Sequence, residues 1–284
     1  VVIESKCEDF KGGDHVVPHH HVACGECYLC NHGAETMCAG FRSSNFDPGG
    51  FADEFKVSEY NVKRSGVHGT HGLSHEEASF AEPLGCCLRG LNKVIKRNPS
   101  NMEDVLVVGA GPIGLLHMEI LRSRMPELKL IALDVNSTRL DFAEKNEGVG
   151  VLDARRSRSG LFSGDALKQI ETPGYDLVIV ATGNSVAFAE SIRCVRKAGT
   201  LLLFGAARKG SMYSLDIQSM LLSELTITSS YGTTERELDE ALRLLESGDI
   251  KVRKFITSSY PLGRIVEAMT AAKSESQVKV LVTG

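Results

Sequence analysis

The residues with the clearest chemical potential are four closely spaced cysteines, Cys24, Cys27, Cys30 and Cys38, separated by two, two and seven residues. Four thiolates in one short segment suit a closed tetrahedral zinc site, which has no position left for a substrate. An iron–sulfur cluster is the competing hypothesis. Its usual cysteine run closes with a three-residue gap and a Pro, whereas here seven residues precede Cys38 and Ala39 follows it. Thiols that bind no metal are a third alternative, and the spacing favours structural zinc.

A glycine-rich turn is the second chemical motif, with the sequence Gly-Ala-Gly-Pro-Ile-Gly at residues 109–114. It directly follows the apolar run Val105–Val108 and precedes a helical pattern, which is the context that a dinucleotide-binding turn requires. In such a turn Gly109 makes the tight bend, Gly111 lets the backbone approach a pyrophosphate, and Gly114 allows the helix to pack closely on the strand. The alternative is a strand-to-helix turn that binds no ligand.

Several residues around this turn bear on the cofactor. Pro112 and Ile113 begin the helix, whose free N–H groups and positive dipole end attract phosphates. Asp134 lies twenty residues past Gly114, at the end of the next predicted strand. A carboxylate there accepts hydrogen bonds from ribose hydroxyls and repels a 2′-phosphate, so it favours NAD over NADP. Arg139 argues against this preference for NAD, because its guanidinium could reach adenine or a phosphate.

The elements that must position these motifs follow from an alternation of apolar runs and helical patterns. Ser74 and Glu77 form a capping box that opens a helix, and a second helix is predicted from Leu84 to Ile95, ended by Asn98-Pro99-Ser100. Short runs rich in Val, Ile and Leu between helices predict a parallel sheet covered on both faces, an α/β fold. The predicted strands are Val105–Val108, Leu130–Leu133, Leu177–Ala181, Thr200–Phe204 and Leu225–Ser229. The first predicted helix runs from the glycine-rich turn to about Arg124. The others are Thr138–Lys145, Phe188–Arg196 and Glu235–Ser247.

The two ends of the chain have a different pattern. Residues 1–62 contain short β-type runs, predicted as strands at Val1–Ile3, His15–Val17 and Phe55–Val57, separated by glycine-rich turns. The last thirty-five residues mix strand, helix and strand. The N-terminal region is therefore predicted to be β-rich.

Polar and glycine-containing turns follow three of the predicted strands. Because open parallel sheets bind ligands at the carboxyl ends of their strands, these turns are candidates for cofactor contact. The alternative is ordinary strand-ending turn chemistry. The candidate residues are Thr182, Gly183, Phe204, Gly205, Ala206, Ser230 and Tyr231.

Composition excludes several classes of protein. The formal net charge is −4, which argues against a nucleic-acid partner. No apolar run is long enough for a membrane span, and eight cysteines in 284 residues are too few for a disulfide scaffold. A clustered thiol site without a signal peptide predicts a reducing, cytoplasmic location.

The order of motifs resembles that of the medium-chain zinc-dependent alcohol dehydrogenase family, specifically its polyol and threonine dehydrogenase branch. The similarity extends over essentially all 284 residues. It implies a GroES-like catalytic domain at residues 1–95 with a zinc lobe at 24–38, a Rossmann NAD-binding domain at 96–232, and a C-terminal segment at 233–284 that begins with a Rossmann-edge helix and returns to the catalytic domain. The segments that carry it are CGECYLCNHGAETMC, GGFADEF, EEASFAEPLGCCLRG, VLVVGAGPIGLLH, ATGNS and LLLFGAA.

The resemblance also assigns roles to residues. The four cysteines match the family's structural zinc ligands one for one, and the turns after the strands flank the nicotinamide. Glu82, in the sequence Glu-Pro-Leu, matches a residue that binds or tunes the catalytic zinc; without the resemblance it would be an ordinary carboxylate at a helix start.

The family's other catalytic zinc ligands, a Cys and a His-Glu pair, would precede Val1. We therefore expect a sequence that lacks its N-terminal part, a GroES-like domain that is incomplete, and a chain that cannot form the catalytic zinc site alone.

These observations predict a zinc-dependent oxidoreductase that transfers a hydride from a secondary alcohol or polyol to NAD, with a small-molecule substrate and a homodimeric or homotetrameric assembly. The alternatives are a zinc-free quinone reductase of the same superfamily and a non-catalytic NAD-binding protein that kept the fold. A zinc-ribbon nucleic-acid binder is disfavoured by the net charge and the long Rossmann segment.

Overall fold

A computed structural model describes residues 1–95, 102–157 and 162–284. The chain divides into two compact units. The first unit contains Val1–Arg89 together with Gly232–Gly284, and the second unit contains Gly90–Tyr231. Within the described ranges, no helix has both the length and the apolar character that a membrane crossing needs.

The second unit is built on a six-stranded sheet in which every neighbouring pair of strands is parallel. The three strands at its centre are buried along nearly their whole length, as the uninterrupted Val/Ile/Leu runs predict. The spatial order is β5-β4-β3-β6-β7-β8, the order of a dinucleotide-binding sheet. The strands are β3 (Asp104–Val108), β4 (Lys129–Asp134), β5 (Gly150–Asp153), β6 (Tyr175–Val180), β7 (Val195–Leu203) and β8 (Thr226–Ser229).

Helices connect these strands, and the sequence explains where several of them begin and end. Pro112 stands in the first turn of the helix after β3, where its missing N–H is not needed. Asn136 caps the next helix by accepting from the Arg139 amide, and Gly148 ends that helix in a left-handed conformation. The helices are α6 (Pro112–Arg124), α7 (Ser137–Glu147), α8 (Ser163–Leu167), α9 (Ser185–Cys194) and α10 (Ile217–Leu222).

The first unit combines small sheets with helices. Its strands are β1 (Val16–Pro18) and β2 (Val67–Gly69), which are antiparallel, and β9 (Ile256–Pro261) and β10 (Lys279–Thr283), which are parallel. Its helices are α1 (Tyr28–Asn31), α2 (Ala39–Ser43), α3 (Glu59–Lys63), α4 (His75–Ala78), α11 (Glu235–Glu246) and α12 (Ile265–Ala271), and it contains most of α5 (Ala81–Ile95).

Acidic side chains of α11 attach this helix to the rest of the first unit. Glu235 contacts the buried His19 ring at 2.9 Å, and Asp239 contacts His68 at 2.7 Å. Glu237 is 2% exposed and lies 3.6 Å from the buried Arg89 guanidinium. The C-terminal segment is therefore held against the N-terminal segment by paired polar groups as well as by apolar packing.

The structure confirms the predicted parallel α/β architecture, the capping box at Ser74 and Glu77, and the strand–helix–strand order of the last residues. Two predicted strands are wrong. Val1–Ile3 forms no strand; Val2 exchanges backbone hydrogen bonds only with the turn at Gly13 and Asp14. Phe55–Val57 contributes a single bridge from Lys56 to Asp47. In both places a short apolar run lacks a partner segment long enough for a ladder of hydrogen bonds.

The sequence did not predict β5, α8 or α10, which are short elements whose apolar pattern is weak. The predicted end of α5 at Asn98-Pro99-Ser100 lies outside the described residues.

Candidate metal centre and cofactor site

The four cysteines come together in a lobe that is built from short helices and glycine bends. Gly25 and Gly33 adopt left-handed conformations, with φ of +79° and +72°, which glycine accepts without strain. The four sulfur atoms all lie within 4.8 Å of one another. The Cys27 and Cys30 sulfurs are 3.6 Å apart, and the Cys24 and Cys30 sulfurs are 3.9 Å apart.

This geometry fits a zinc ion. Zn–S bonds of about 2.3 Å at tetrahedral angles place neighbouring sulfurs about 3.8 Å apart, close to the two distances above. Among the described residues, these cysteines are the one group of three or more potential metal ligands. The spacing of the sequence and the geometry of the lobe therefore agree on a four-sulfur metal centre.

Backbone amides also stabilise thiolate charge in the lobe. The Cys24 amide donates to the Cys38 sulfur at 3.4 Å, and the Cys27 amide donates to the Cys24 sulfur at 3.3 Å. Burial acts to raise the pKa of the Cys38 thiol, but N–H groups of Cys24, Phe41 and Gly40 overcome it and lower that pKa to about 6. Such donors favour the thiolate form in which a cysteine binds metal.

The glycine turn after β3 has the tight geometry that its sequence predicts. Gly109 has φ of +104°. A side chain at Gly114 would begin 1.9 Å from the Gly109 carbonyl oxygen, so only glycine allows α6 to approach β3 this closely. A Cβ atom placed on Gly111 would have one neighbour within 4 Å among the described residues. That neighbour is a nitrogen of the Arg139 guanidinium, at 3.6 Å.

The start of α6 therefore faces open space beside a cation. Pro112 has no N–H, and the helix N–H groups that follow it, from Ile113 onwards, have no side-chain cap. The Arg139 Nε atom is buried and lacks a hydrogen-bond partner within the described part of the chain. Free amides, a positive dipole end and a guanidinium with an unpaired Nε fit the phosphates or ribose of a dinucleotide.

Asp134 is anchored to this turn in a way that the sequence did not reveal. One carboxylate oxygen accepts from the Ala110 amide at 2.7 Å, and the other accepts from the Asn136 amide at 2.9 Å. Each oxygen keeps a second lone pair. The side chain can therefore hold the turn in place and still accept a hydrogen bond from a ribose hydroxyl.

The structure brings the predicted turns after β6 and β7 together. A side chain at Gly183 would begin 2.1 Å from the Ala206 carbonyl oxygen, and one at Gly205 would begin 2.3 Å from the Thr182 carbonyl carbon. Thr182 is also next to the glycine turn, 3.4 Å from a hypothetical side chain at Gly109. Three strand ends thus share one small region, as the parallel sheet requires.

The remaining predicted cofactor residues differ in how far their side chains are exposed and hydrogen-bonded. The Phe204 ring packs against the fully buried His117, with the two centroids 4.6 Å apart, and the side chain as a whole is half-buried. Tyr231 is 54% exposed after β8. Ser230 has a buried hydroxyl oxygen with no hydrogen-bond partner in the described ranges.

Glu82 lies in the first turn of α5, where the Cys86 thiol donates to its carboxylate at 3.3 Å. Burial lowers the pKa of the Lys279 ammonium, and the Glu82 carboxylate opposes that shift. Burial and the neighbouring His21 lower the pKa of His20, which Glu82 again opposes. Glu82 thus lies within electrostatic range of Lys279 and His20. The sequence missed Cys86 and Lys279, although Cys86 stands one helical turn after Glu82.

The chain is similar to known proteins along most of its length. Residues 1–65 match the alcohol dehydrogenase GroES-like domain, and residues 112–247 match the zinc-binding dehydrogenase family. The chain is 27% identical to D-arabinitol dehydrogenase 1 of Uromyces fabae over 99% of this chain and 78% of that protein. It is 28% identical to D-altritol 5-dehydrogenase of Agrobacterium fabrum over 94% and 75%. The solved structure of L-idonate 5-dehydrogenase from Escherichia coli superposes with a TM-score of 0.82 at 21% identity, over 99% of this chain and 79% of that one.

We predict that the purified protein carries about one zinc equivalent at the four cysteines, and that Cys27→Ser lowers the zinc content and the thermal stability. Removing one thiolate leaves three protein ligands where a structural site needs four. Elemental analysis and thermal unfolding measure both effects. Cys7→Ser, outside the lobe, is the control and should change neither. Iron with visible absorbance, or a folded protein without metal, would contradict the zinc assignment.

Proposed function

Because this chain belongs to the medium-chain zinc-dependent alcohol dehydrogenase family, we propose that it oxidises a secondary alcohol, in particular a polyol, with NAD as the hydride acceptor. The observation that carries this proposal is the pairing of a dinucleotide turn with a four-sulfur metal centre in one chain. Two of its relatives are named as polyol dehydrogenases, which favours a substrate with several hydroxyl groups.

In this proposal the second unit is the NAD-binding domain. The N–H groups of Gly111, Ile113 and Gly114 bind the pyrophosphate, Pro112, which has no N–H, begins the helix that presents them, and Gly109 keeps the turn tight. Asp134 accepts from the adenosine ribose, and Arg139 lies beside it. When bound, NAD supplies a nicotinamide that accepts the hydride. The residues proposed to surround the nicotinamide are Thr182, Gly183, the Phe204 backbone, Gly205, Ala206, Ser230 and Tyr231.

The first unit is proposed to be the catalytic domain, with Glu82 as its contribution to a catalytic zinc site. No group of three potential ligands within the described residues includes Glu82. These residues therefore do not form such a site by themselves, and we derive no catalytic step through a metal. What they supply is a carboxylate that is partly shielded from water and held by the Cys86 thiol.

Two alternatives make different predictions. A zinc-free quinone reductase would have no reason to retain four converging sulfurs, so the lobe disfavours it. A non-catalytic NAD-binding protein would keep the glycine turn and Asp134 without turnover. Measured turnover distinguishes this second alternative from an enzyme.

Asp134 should set cofactor preference. We expect NAD to bind more tightly than NADP, and Asp134→Ser to narrow the ratio of the two dissociation constants by about tenfold, or about 1.4 kcal/mol, because a carboxylate repels the 2′-phosphate. Titration calorimetry measures both constants. The matched control is Asp153→Ser, at the end of the neighbouring strand and in register with Asp134. Tighter NADP binding by the unaltered protein would show that Arg139 dominates.

Turnover tests the proposed reaction. The protein expressed from its natural start codon should reduce NAD with at least one member of a polyol panel. Glu82→Gln should lower kcat by about 10–100-fold, the loss that is typical when a group supporting a metal site is altered. Glu76→Gln, in the first turn of α4, should leave kcat unchanged. NAD binding without turnover on any alcohol would favour the non-catalytic alternative.

We also propose a homodimer formed through the outer edge of the second unit's sheet. Strand β8 is the last strand of this sheet within the described residues. Beside it α10 exposes Ile217 (80%), Leu221 (75%) and Leu222 (72%). The open edge of β8 can pair with the same edge of a second copy, and the apolar side chains of the two copies can pack against each other. A twofold axis would relate the two copies.

Leu221→Asp should therefore shift the sedimentation coefficient from that of a dimer to that of a monomer, because a charge in an apolar interface is costly to bury. Val266→Asp, at a side chain 76% exposed in the first unit, is the control and should leave the dimer intact. A monomeric unaltered protein at micromolar concentration would refute this assembly.

A further inference from the structure

The second unit buries a histidine that neither the metal centre nor the proposed cofactor contacts use. His117 lies on α6 and is fully buried. Its Nδ1 is 2.9 Å from the Ile113 carbonyl oxygen, and because a carbonyl only accepts, Nδ1 carries the proton. The other ring nitrogen, Nε2, is inaccessible and has no hydrogen-bond partner anywhere in residues 1–95, 102–157 and 162–284. A buried unpaired acceptor costs stability that an apolar side chain would not, so this histidine requires an explanation.

The His117 ring is uncharged at neutral pH. Burial lowers the pKa of its imidazole to about 4, although the hydrogen bond to Ile113 acts in the opposite direction. The ring therefore carries one proton, on Nδ1, and the carbonyl one helical turn earlier fixes its orientation. His117 is thus a neutral aromatic side chain with a defined direction, and its solvent-free position gives it no proton to exchange with a substrate.

The ring packs against Phe204, the first residue after β7. The two ring centroids are 4.6 Å apart and the ring planes lie at 84°, the edge-to-face geometry that aromatic pairs favour. Gly90, on α5, leaves room for the same ring, because a Cβ atom placed there would begin 3.2 Å from two of its carbons. Two helices therefore hold the Phe204 ring in place.

The backbone of Phe204 begins the turn after β7, which lies directly on the turn after β6. The amides of Phe204 and Gly205 both donate to the Val180 carbonyl, at 3.1 Å and 2.8 Å. A Cβ atom at Gly205 would begin 2.3 Å from the Thr182 carbonyl carbon. Any shift of the Phe204 ring would therefore move a closely packed pair of turns.

The strand order indicates which half of a dinucleotide these turns would meet. Strand β3 has β4 on one side and β6, followed by β7, on the other. A dinucleotide binds across the point where the strand order reverses. Asp134, at the end of β4, is the proposed contact of the adenosine ribose. The turns after β6 and β7 are therefore on the nicotinamide side.

We propose that His117 is a positioning residue for the nicotinamide half of the cofactor and acts through Phe204. This rests on the proposed NAD site. The His117 ring is fixed by the Ile113 carbonyl in the first turn of α6 and packs on Phe204. It thereby sets the spacing between the helix that would bind the pyrophosphate and the turn that would hold the nicotinamide. A leucine has no hydrogen bond to fix its direction, so the turn would lose its defined position.

The test measures the dissociation constants of NADH and of ADP-ribose, which lacks the nicotinamide, by titration calorimetry. The unaltered protein is compared with His117→Leu and with Met118→Leu, a control at the next and equally buried residue of α6. We expect His117→Leu to weaken NADH binding about tenfold and ADP-ribose binding less than about twofold, and Met118→Leu to change neither. The fluorescence of NADH bound to His117→Leu should also move toward that of free NADH, because the nicotinamide is held less firmly.

A double substitution tests whether the effect passes through Phe204. Phe204→Leu alone should weaken NADH binding more than ADP-ribose binding. Adding His117→Leu to it should then change the NADH dissociation constant by less than about twofold, because the contact is already lost. Fully additive effects would overturn the inference.

Equal weakening of NADH and ADP-ribose by His117→Leu, or no weakening of either, would also overturn it and leave the proposed cofactor site standing. An unaltered protein that binds neither molecule would overturn the site and the inference together. If the leucine variants do not fold, histidine NMR of the unaltered protein decides. A shift of the His117 ring signals with NADH but not with ADP-ribose supports the role, and an equal response to both, or to neither, refutes it.

Discussion

The arrangement of the second unit depends on one close approach between a strand end and a helix start. The Gly109 carbonyl oxygen stands 1.9 Å from where a side chain at Gly114 would begin, so α6 can lie directly against β3. Leu115, Leu116 and His117 of this helix are buried. The close approach also directs the first N–H groups of α6 across the carboxyl edge of the sheet, where the turns after β6 and β7 already touch. The candidate cofactor site is therefore a direct consequence of how tightly the sheet is covered.

Asp134 shows how the same residue serves structure and recognition. Its carboxylate accepts two backbone amides, one of them within the glycine turn, and so fixes the relative positions of the ends of β3 and β4. Each carboxylate oxygen keeps a lone pair for a further donor. A substitution at Asp134 thus alters the shape of the turn as well as its charge.

The cysteine lobe has a different physical basis, because it is too small for a core of its own. Its small apolar cluster is formed by Ala23, Cys38 and Phe41, with the other cysteines packed against them. A metal bound by four thiolates would supply the stability that apolar burial does not. The buried Arg89 attaches the lobe to the rest of the first unit, through Thr36 and Glu35 on one side and Glu237 on the other. This network brings the C-terminal segment to the lobe from the far end of the sequence.

The sequence by itself determined the elements whose signals are local. Uninterrupted apolar runs gave the positions of β3, β4, β6, β7 and β8, the spacing of glycines gave the turn at Gly109, and the spacing of thiols gave the metal lobe, because in each the interacting residues are close along the chain. Only the tertiary structure decided which distant residues meet. It placed the Asp134 carboxylate on the Ala110 amide, packed the Phe204 ring against His117, and set Tyr60 against Gly40 beside the cysteines. It also left Val1–Ile3 and Phe55–Val57 without strand partners, since a strand needs a second segment as well as its own pattern. Contacts of this kind depend on where the backbone brings side chains together, and no local pattern of residues encodes that.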